Sequence, residues 1–119
     1  MTLNPEKAAL RKHLLEKRDS TSFDLMEIHS EKILSKLMKT KVISEAESIA
    51  CYYSIGSEVQ TVKLITQLLD EKKSVSLPRI SSNTMSFRII DDLSKLDKGE
   101  FDIPEPKDNA PIQEKHDVI

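Results

Sequence analysis

Between Ser48 and Leu77 the hydrophobic pattern changes period twice, and this constrains the chain more than any other feature. Ser48-Ile49-Ala50-Cys51-Tyr52-Tyr53-Ser54 is an apolar run rich in β-branched and aromatic residues, which predicts a buried strand over 48–54. Thr61 is a good N-cap for a helix in which Ile65, Leu68 and Leu69 recur at helical spacing before Asp70-Glu71-Lys72-Lys73. Ser74-Val75-Ser76-Leu77 then predicts a second strand, ended by Pro78. A strand, a helix and a strand within about 30 residues form a βαβ unit, whose crossover implies parallel pairing in a sheet covered by helices.

The flanking segments fit that plan. Asn4, Pro5 and Glu6 read as an N-cap, a proline at the first helical position and an acid against the helix dipole, so a helix is expected over 5–18. A second helix is expected from after Ser22 to about Lys39, with Met26, Ile33 and Leu37 on one stripe and Leu34 and Met38 widening it. Met85 to Ile90 alternates as a strand does, Asp91 to Leu96 suits a short helical turn, and prolines extend the segment from Phe101 to Pro106. Lys107 to Gln113 reads as a surface loop, and Asp117-Val118-Ile119 as the first residues of a further strand, so residues 1–119 are expected to form a single, incomplete α/β domain.

Composition limits the partners. Eighteen lysines and arginines against twenty acidic residues leave a net charge of −2, which argues against a nucleic-acid partner and makes any phosphate recognition local. Cys51 is the only cysteine, so neither an internal disulfide nor a multi-cysteine zinc site is available; with no apolar leader and no membrane-length stretch, a cytoplasmic protein is expected. His13, His29 and His116 lack metal-ligand spacing, and two glycines, Gly56 and Gly99, cannot build a P-loop or a G-x-G-x-x-G turn. No metal ligands and no catalytic nucleophile are assigned.

Four places can carry chemistry. Lys7, Arg11 and Arg18 project from nearly one line on the first helix, a spacing that suits either an anion or a solvated face with Glu6 and Glu16 nearby. Glu58 lies between the end of a parallel strand and the next helix, where α/β sheets collect ligands; it can accept hydrogen bonds from a heterocycle or simply favour the helix N-terminus. Arg79, at the end of the next strand, can clamp a carboxylate or phosphate or remain a surface residue. Phe101, one of five aromatic residues, can stack on a flat ligand or plug the domain edge.

Taken together, Lys7-Ala8-Ala9-Leu10-Arg11, Tyr52-Tyr53-Ser54, Glu58-Val59-Gln60-Thr61, Val75-Ser76-Leu77-Pro78-Arg79, Met85-Ser86-Phe87 and Phe101-Asp102-Ile103-Pro104-Glu105-Pro106 resemble the N-terminal portion of 5-formyltetrahydrofolate cyclo-ligases. The resemblance implies a three-layer α/β/α sandwich with a mostly parallel sheet, Rossmann-like in the broad sense, its C-terminal part missing. It places Lys7, Ala8, Ala9, Leu10 and Arg11 against ATP, and Tyr53, Glu58, Phe101 and Arg79 against a reduced folate, with Mg2+ accompanying the nucleotide.

The implied reaction transfers the ATP γ-phosphate to the formyl oxygen of 5-formyltetrahydrofolate. N10 then attacks the activated carbon and phosphate leaves, giving 5,10-methenyltetrahydrofolate and ADP. After Ile119 the family continues with a glycine-rich nucleotide loop, so the resemblance implies weak activity or none for these residues alone, and a missing segment or separate chain that completes the site. The alternative is a noncatalytic interaction module that keeps this half of the fold; a nucleic-acid-binding helix is the third and weakest reading.

Overall fold

The computed structural model describes residues 4–99 and 102–119. Helix α1 spans Pro5–Asp19, and the Asn4 side chain caps it by accepting hydrogen bonds from the Glu6 and Lys7 N–H groups, satisfying two of the donors that a helix start leaves unpaired. Helix α2 spans Phe23–Met38, capped by Ser22. Its inward side differs from the expected stripe. Leu34, Leu37 and Met38 pack on the core, whereas Ile33 is exposed. Ser30 is buried instead, because its hydroxyl accepts the Gln60 N–H at 2.9 Å. A short helix the sequence reading omitted, α3 at Lys41–Glu45, follows a Thr40 cap. It contributes buried Ile43, and the Lys73 ammonium donates to the carbonyls of Ser44 and Ala46 at its end.

Strand β1 (Ser48–Ala50), helix α4 (Val62–Asp70) and strand β2 (Ser74–Ser81) form the expected parallel unit, with Ile49 opposite Val75. Strand β3 (Thr84–Ile90) returns antiparallel on the other side of β2 through a two-residue turn, Ser82-Asn83, in which both residues have positive φ, as a tight hairpin requires. The order is therefore β1-β2-β3. Val118 adds a parallel bridge beyond β1, and Ile112 an antiparallel bridge beyond β3. A 3₁₀ turn at Leu93–Lys95 leads to a small ribbon of β4 (Asp97–Lys98) and β5 (Pro104–Glu105).

Two strand ends move from their expected places, and Pro78 explains both. The strand does not end at Pro78; it runs on to Ser81. Phe87, opposite Pro78, turns its carbonyl outward to accept from Gln113, so that pair needs no hydrogen bond from proline. On the β1 side, the Cys51 N–H donates to the Ser76 carbonyl, and the next rung would need an N–H from Pro78. The ladder stops there, so β1 closes at Ala50 and residues 51–54 leave the sheet.

Ile65, Leu68, Val75 and Leu77 are fully buried, joined in one core by Ile43, Ile49, Leu64 and Ile90. Burial of each such side chain contributes about 1.5–3 kcal/mol. Helix α1 has no part in this: none of its residues is buried, and Leu10 and Leu14 remain 57% and 53% exposed. No described helix is long and apolar enough to cross a membrane.

Candidate functional site

Because β1 ends early, residues 51–61 form a loop at the C-terminal end of a parallel strand, where ligands gather in open α/β sheets. Its two ends are clasped together. The Ser54 N–H donates to Thr61 Oγ1 at 3.0 Å, the Thr61 N–H donates to Ser54 Oγ at 3.0 Å, and the Thr61 hydroxyl donates to the Tyr52 carbonyl at 2.8 Å. Thr61 thus stands at the predicted N-cap of α4, but its side chain closes the loop and does not cap the helix. Ser54 and Thr61 are both buried.

Within the clasp the chain turns at Gly56, whose φ of +54° lies in the left-handed region. The Ile55 N–H donates to Glu58 Oε1 at 2.8 Å, and the Glu58 N–H donates to the Ile55 carbonyl at 3.2 Å. Gln60 Nε2 donates to the Glu58 carbonyl at 2.8 Å. Glu58 is therefore held by its own loop through one carboxylate oxygen and both main-chain groups. The Tyr52 hydroxyl donates to the Val59 carbonyl at 2.9 Å. Burial pushes the Tyr52 phenol above its ordinary value; the charges of Glu58 and Cys51 add to this and that of Arg18 opposes it. Of the tyrosine pair, Tyr53 turns its side chain toward the core and Tyr52 lies over the loop.

The basic line on α1 is real. Lys7, Arg11 and Arg18, with Leu10, Leu14 and Leu15, line an open depression of about 570 Å³. Ala8 and Ala9 lie on the same helix and are exposed. Arg18 also reaches out of the helix: its Nε donates to Ser57 Oγ at 2.8 Å, while the Ser57 hydroxyl donates to Asp19. The structure thus joins the basic helix to the loop that carries Glu58. The helical spacing points to Arg18 but not to this partner, and it gives Tyr52 and Ser57 no role of their own; nothing in the spacing of residues 39 apart in sequence announces such a contact.

Arg79 is placed differently. Its side chain is 18% exposed, and its guanidinium donates to the Pro106 carbonyl at 2.7 Å. It lies 3.4 Å from Glu105, 3.6 Å from Asp108 and 3.9 Å from Asp97. Its charge is thereby matched by carboxylates of the chain, and it holds the segment around β4 and β5 against β2. Phe101 lies outside the described residues. Among the described residues no three His, Cys, Asp or Glu side chains converge as a metal site.

Comparison with known proteins gives these features a context. The profile of the 5-formyltetrahydrofolate cyclo-ligase family matches residues 3–119. The NMR structure of Aquifex aeolicus 5,10-methenyltetrahydrofolate synthetase is similar, with 29% identity and a TM-score of 0.81, over 90% of this chain and 54% of that one. A 5,10-methenyltetrahydrofolate synthetase from Mycoplasma pneumoniae is similar at 29% identity and a TM-score of 0.60, over 71% of this chain and 53% of that one. The chain thus spans about half the length of these solved relatives. No curated protein matches the sequence closely enough to count.

Proposed function

Because the chain belongs to the 5-formyltetrahydrofolate cyclo-ligase family, we propose that it serves the ATP-dependent cyclisation of 5-formyltetrahydrofolate to 5,10-methenyltetrahydrofolate in the cytoplasm. The observation that carries this reading is the clasped loop at the end of β1, which presents Glu58 with only Oε1 engaged among the described residues. Its second oxygen is then available to accept N–H donors of the pterin. Phe101 and the half-buried Tyr53, through the part of its ring that the core leaves uncovered, complete the folate side. Arg79 contributes from behind, holding the β4–β5 segment that flanks Phe101 in sequence.

On the nucleotide side, Lys7, Leu10 and Arg11 border a depression that is basic along one line and apolar beside it, a chemistry that fits the phosphates and body of ATP, with Ala8 and Ala9 on the same turn of the helix. Lys7 and Arg11 neutralise the charge that builds on the transferred phosphoryl group, which makes the formyl oxygen a good leaving group when N10 attacks. Positioning and charge neutralisation supply most of the catalysis in phosphoryl transfer. Mg2+ would accompany the nucleotide phosphates, as it does in most phosphoryl-transfer sites, and the chain's own part is to orient those phosphates.

A second reading, a noncatalytic interaction module, draws on the uncovered apolar residues Leu10 and Leu14 of α1. One experiment separates the two. Formation of the methenyl product is followed by ultraviolet absorbance with ATP and Mg2+, using this chain alone and a version extended beyond Ile119 by the remaining length of its relatives. The cyclo-ligase reading expects the extended chain to turn over, with Glu58→Ala and Lys7→Ala each lowering the rate at least tenfold, about 1.4 kcal/mol of transition-state stabilisation. An extended chain that neither turns over nor binds folate would leave the interaction module.

A further inference from the structure

The two substrates of the proposed reaction meet on different elements, the nucleotide along α1 and the folate at the loop between β1 and α4. In-line attack of a formyl oxygen on a phosphorus atom demands that these elements keep a fixed relation, since a misplacement of about 1 Å can cost a hundredfold in rate. We propose that Arg18 is the positioning residue that sets this relation, by tying the last turn of α1 to Ser57 beside Glu58.

The geometry supports a tie in three ways. Arg18 Nε donates to Ser57 Oγ at 2.8 Å, and Ser57 in turn donates to Asp19, so the serine is gripped by two consecutive residues at the end of α1. Ser57 lies between Gly56 and Glu58 inside the turn that the Ile55–Glu58 hydrogen bonds close, so a pull on Ser57 is felt directly by the Glu58 main chain. Helix α1 lacks any buried residue that would fix it to the core, which leaves polar ties such as this one to set its position relative to the loop. Lys7 and Arg11 share the face of Arg18, so one rigid helix carries both the phosphate contacts and the tie. This role for Arg18 rests on the cyclo-ligase reading for its purpose, though not for its geometry.

The test uses the full chain labelled with ¹⁵N, with Arg18→Ala, Ser57→Ala and the double variant. Amide exchange at Ile55 and Glu58 reports the turn without any ligand, and should accelerate about fivefold to tenfold in Arg18→Ala, at least as much in Ser57→Ala, which also loses the hydrogen bond to Asp19, and no further in the double than in Ser57→Ala. Affinity for 5-formyltetrahydrofolate should fall in all three variants in step with the exchange, while ATP affinity is unchanged in Ser57→Ala. Unaltered exchange in both single variants, or additive effects in the double, would overturn the proposal. So would a loss of ATP affinity in Arg18→Ala while Ser57→Ala leaves exchange and folate affinity unchanged, which would make Arg18 a direct phosphate ligand. A wild-type chain that binds no folate even when extended beyond Ile119 counts against the cyclo-ligase reading, and the exchange data then still decide the tie.

Discussion

Replacing Thr61 by valine keeps the volume and β-branching of the side chain and removes only its hydroxyl. That hydroxyl accepts the Ser54 N–H and donates to the Tyr52 carbonyl, and Thr61 and Ser54 are both buried. A typical hydrogen bond contributes about 0.5–1.5 kcal/mol net, and a buried donor left without a partner costs about 1–3 kcal/mol. The Ser54 N–H loses its acceptor where water has little access, so the expected loss is about 3 kcal/mol, a large part of the roughly 5–15 kcal/mol that holds a domain folded. In thermal unfolding this corresponds to a drop in Tm on the order of 10 °C for a chain of this size. Urea titration gives the free energy directly, and Thr61→Ser is the control: it restores both hydrogen bonds and loses one methyl group, about 1 kcal/mol. If the valine variant is as stable as wild type, or the serine variant is no better than valine, then the hydroxyl does not hold the loop and the clasp argument fails.

Three further outcomes are expected. Gly99→Ala would set a Cβ 2.6 Å from Cγ of Glu105, displacing a buried carboxylate that pairs with Arg79; urea titration should show a loss of about 1–3 kcal/mol, and substitution at Gly56, where a Cβ meets nothing, should lack this clash. Lys72 holds a positive φ of 63° just past α4, where the Lys73 N–H returns to the Leu68 carbonyl, so Lys72→Gly should raise stability by about 0.5–1 kcal/mol in the same assay. Hydrogen bonds from the Glu47 and Ser48 N–H groups hold the Asp117 carboxyl below its ordinary 3.8. Its folded value is depressed, so its contribution is fully present above about pH 4 and is lost as pH falls through the folded value; acid unfolding of Asp117→Asn should show a smaller pH slope in that window.

The βαβ unit and the two long helices are legible in the sequence because hydrophobic period and capping residues are local signals: Asn4 and Ser22 start their helices as their chemistry predicts. The expected α/β architecture, with helices packed on the sheet, holds, and the solved Aquifex aeolicus relative shares the fold. What escaped was decided between segments. The β2–β3 hairpin turns on Ser82-Asn83 without a glycine, so the positive φ values that build it leave little trace in composition. α3 is too short to display a period. Thr61 looked like a cap because capping is a local rule, yet its hydroxyl was claimed by Tyr52 and Ser54 across the loop. For the candidate site, the place of Glu58 in the loop after a parallel strand was legible, whereas the contact between Arg18 and Ser57 depends on how α1 lies on the fold.

Pro78 has an effect beyond ending β1. Once β1 stops, the exposed margin of β2 could recruit a stray strand from another molecule, as open sheet edges do. Along that margin the N–H groups of residues 78 and 80 would be the next to point outward. Proline has none to offer, and the one on Ile80 faces Glu105 Oε2 at 3.4 Å. The margin beyond the end of β1 is thus left without free donors by a proline and one side chain, with no further strand required, a safeguard against self-association.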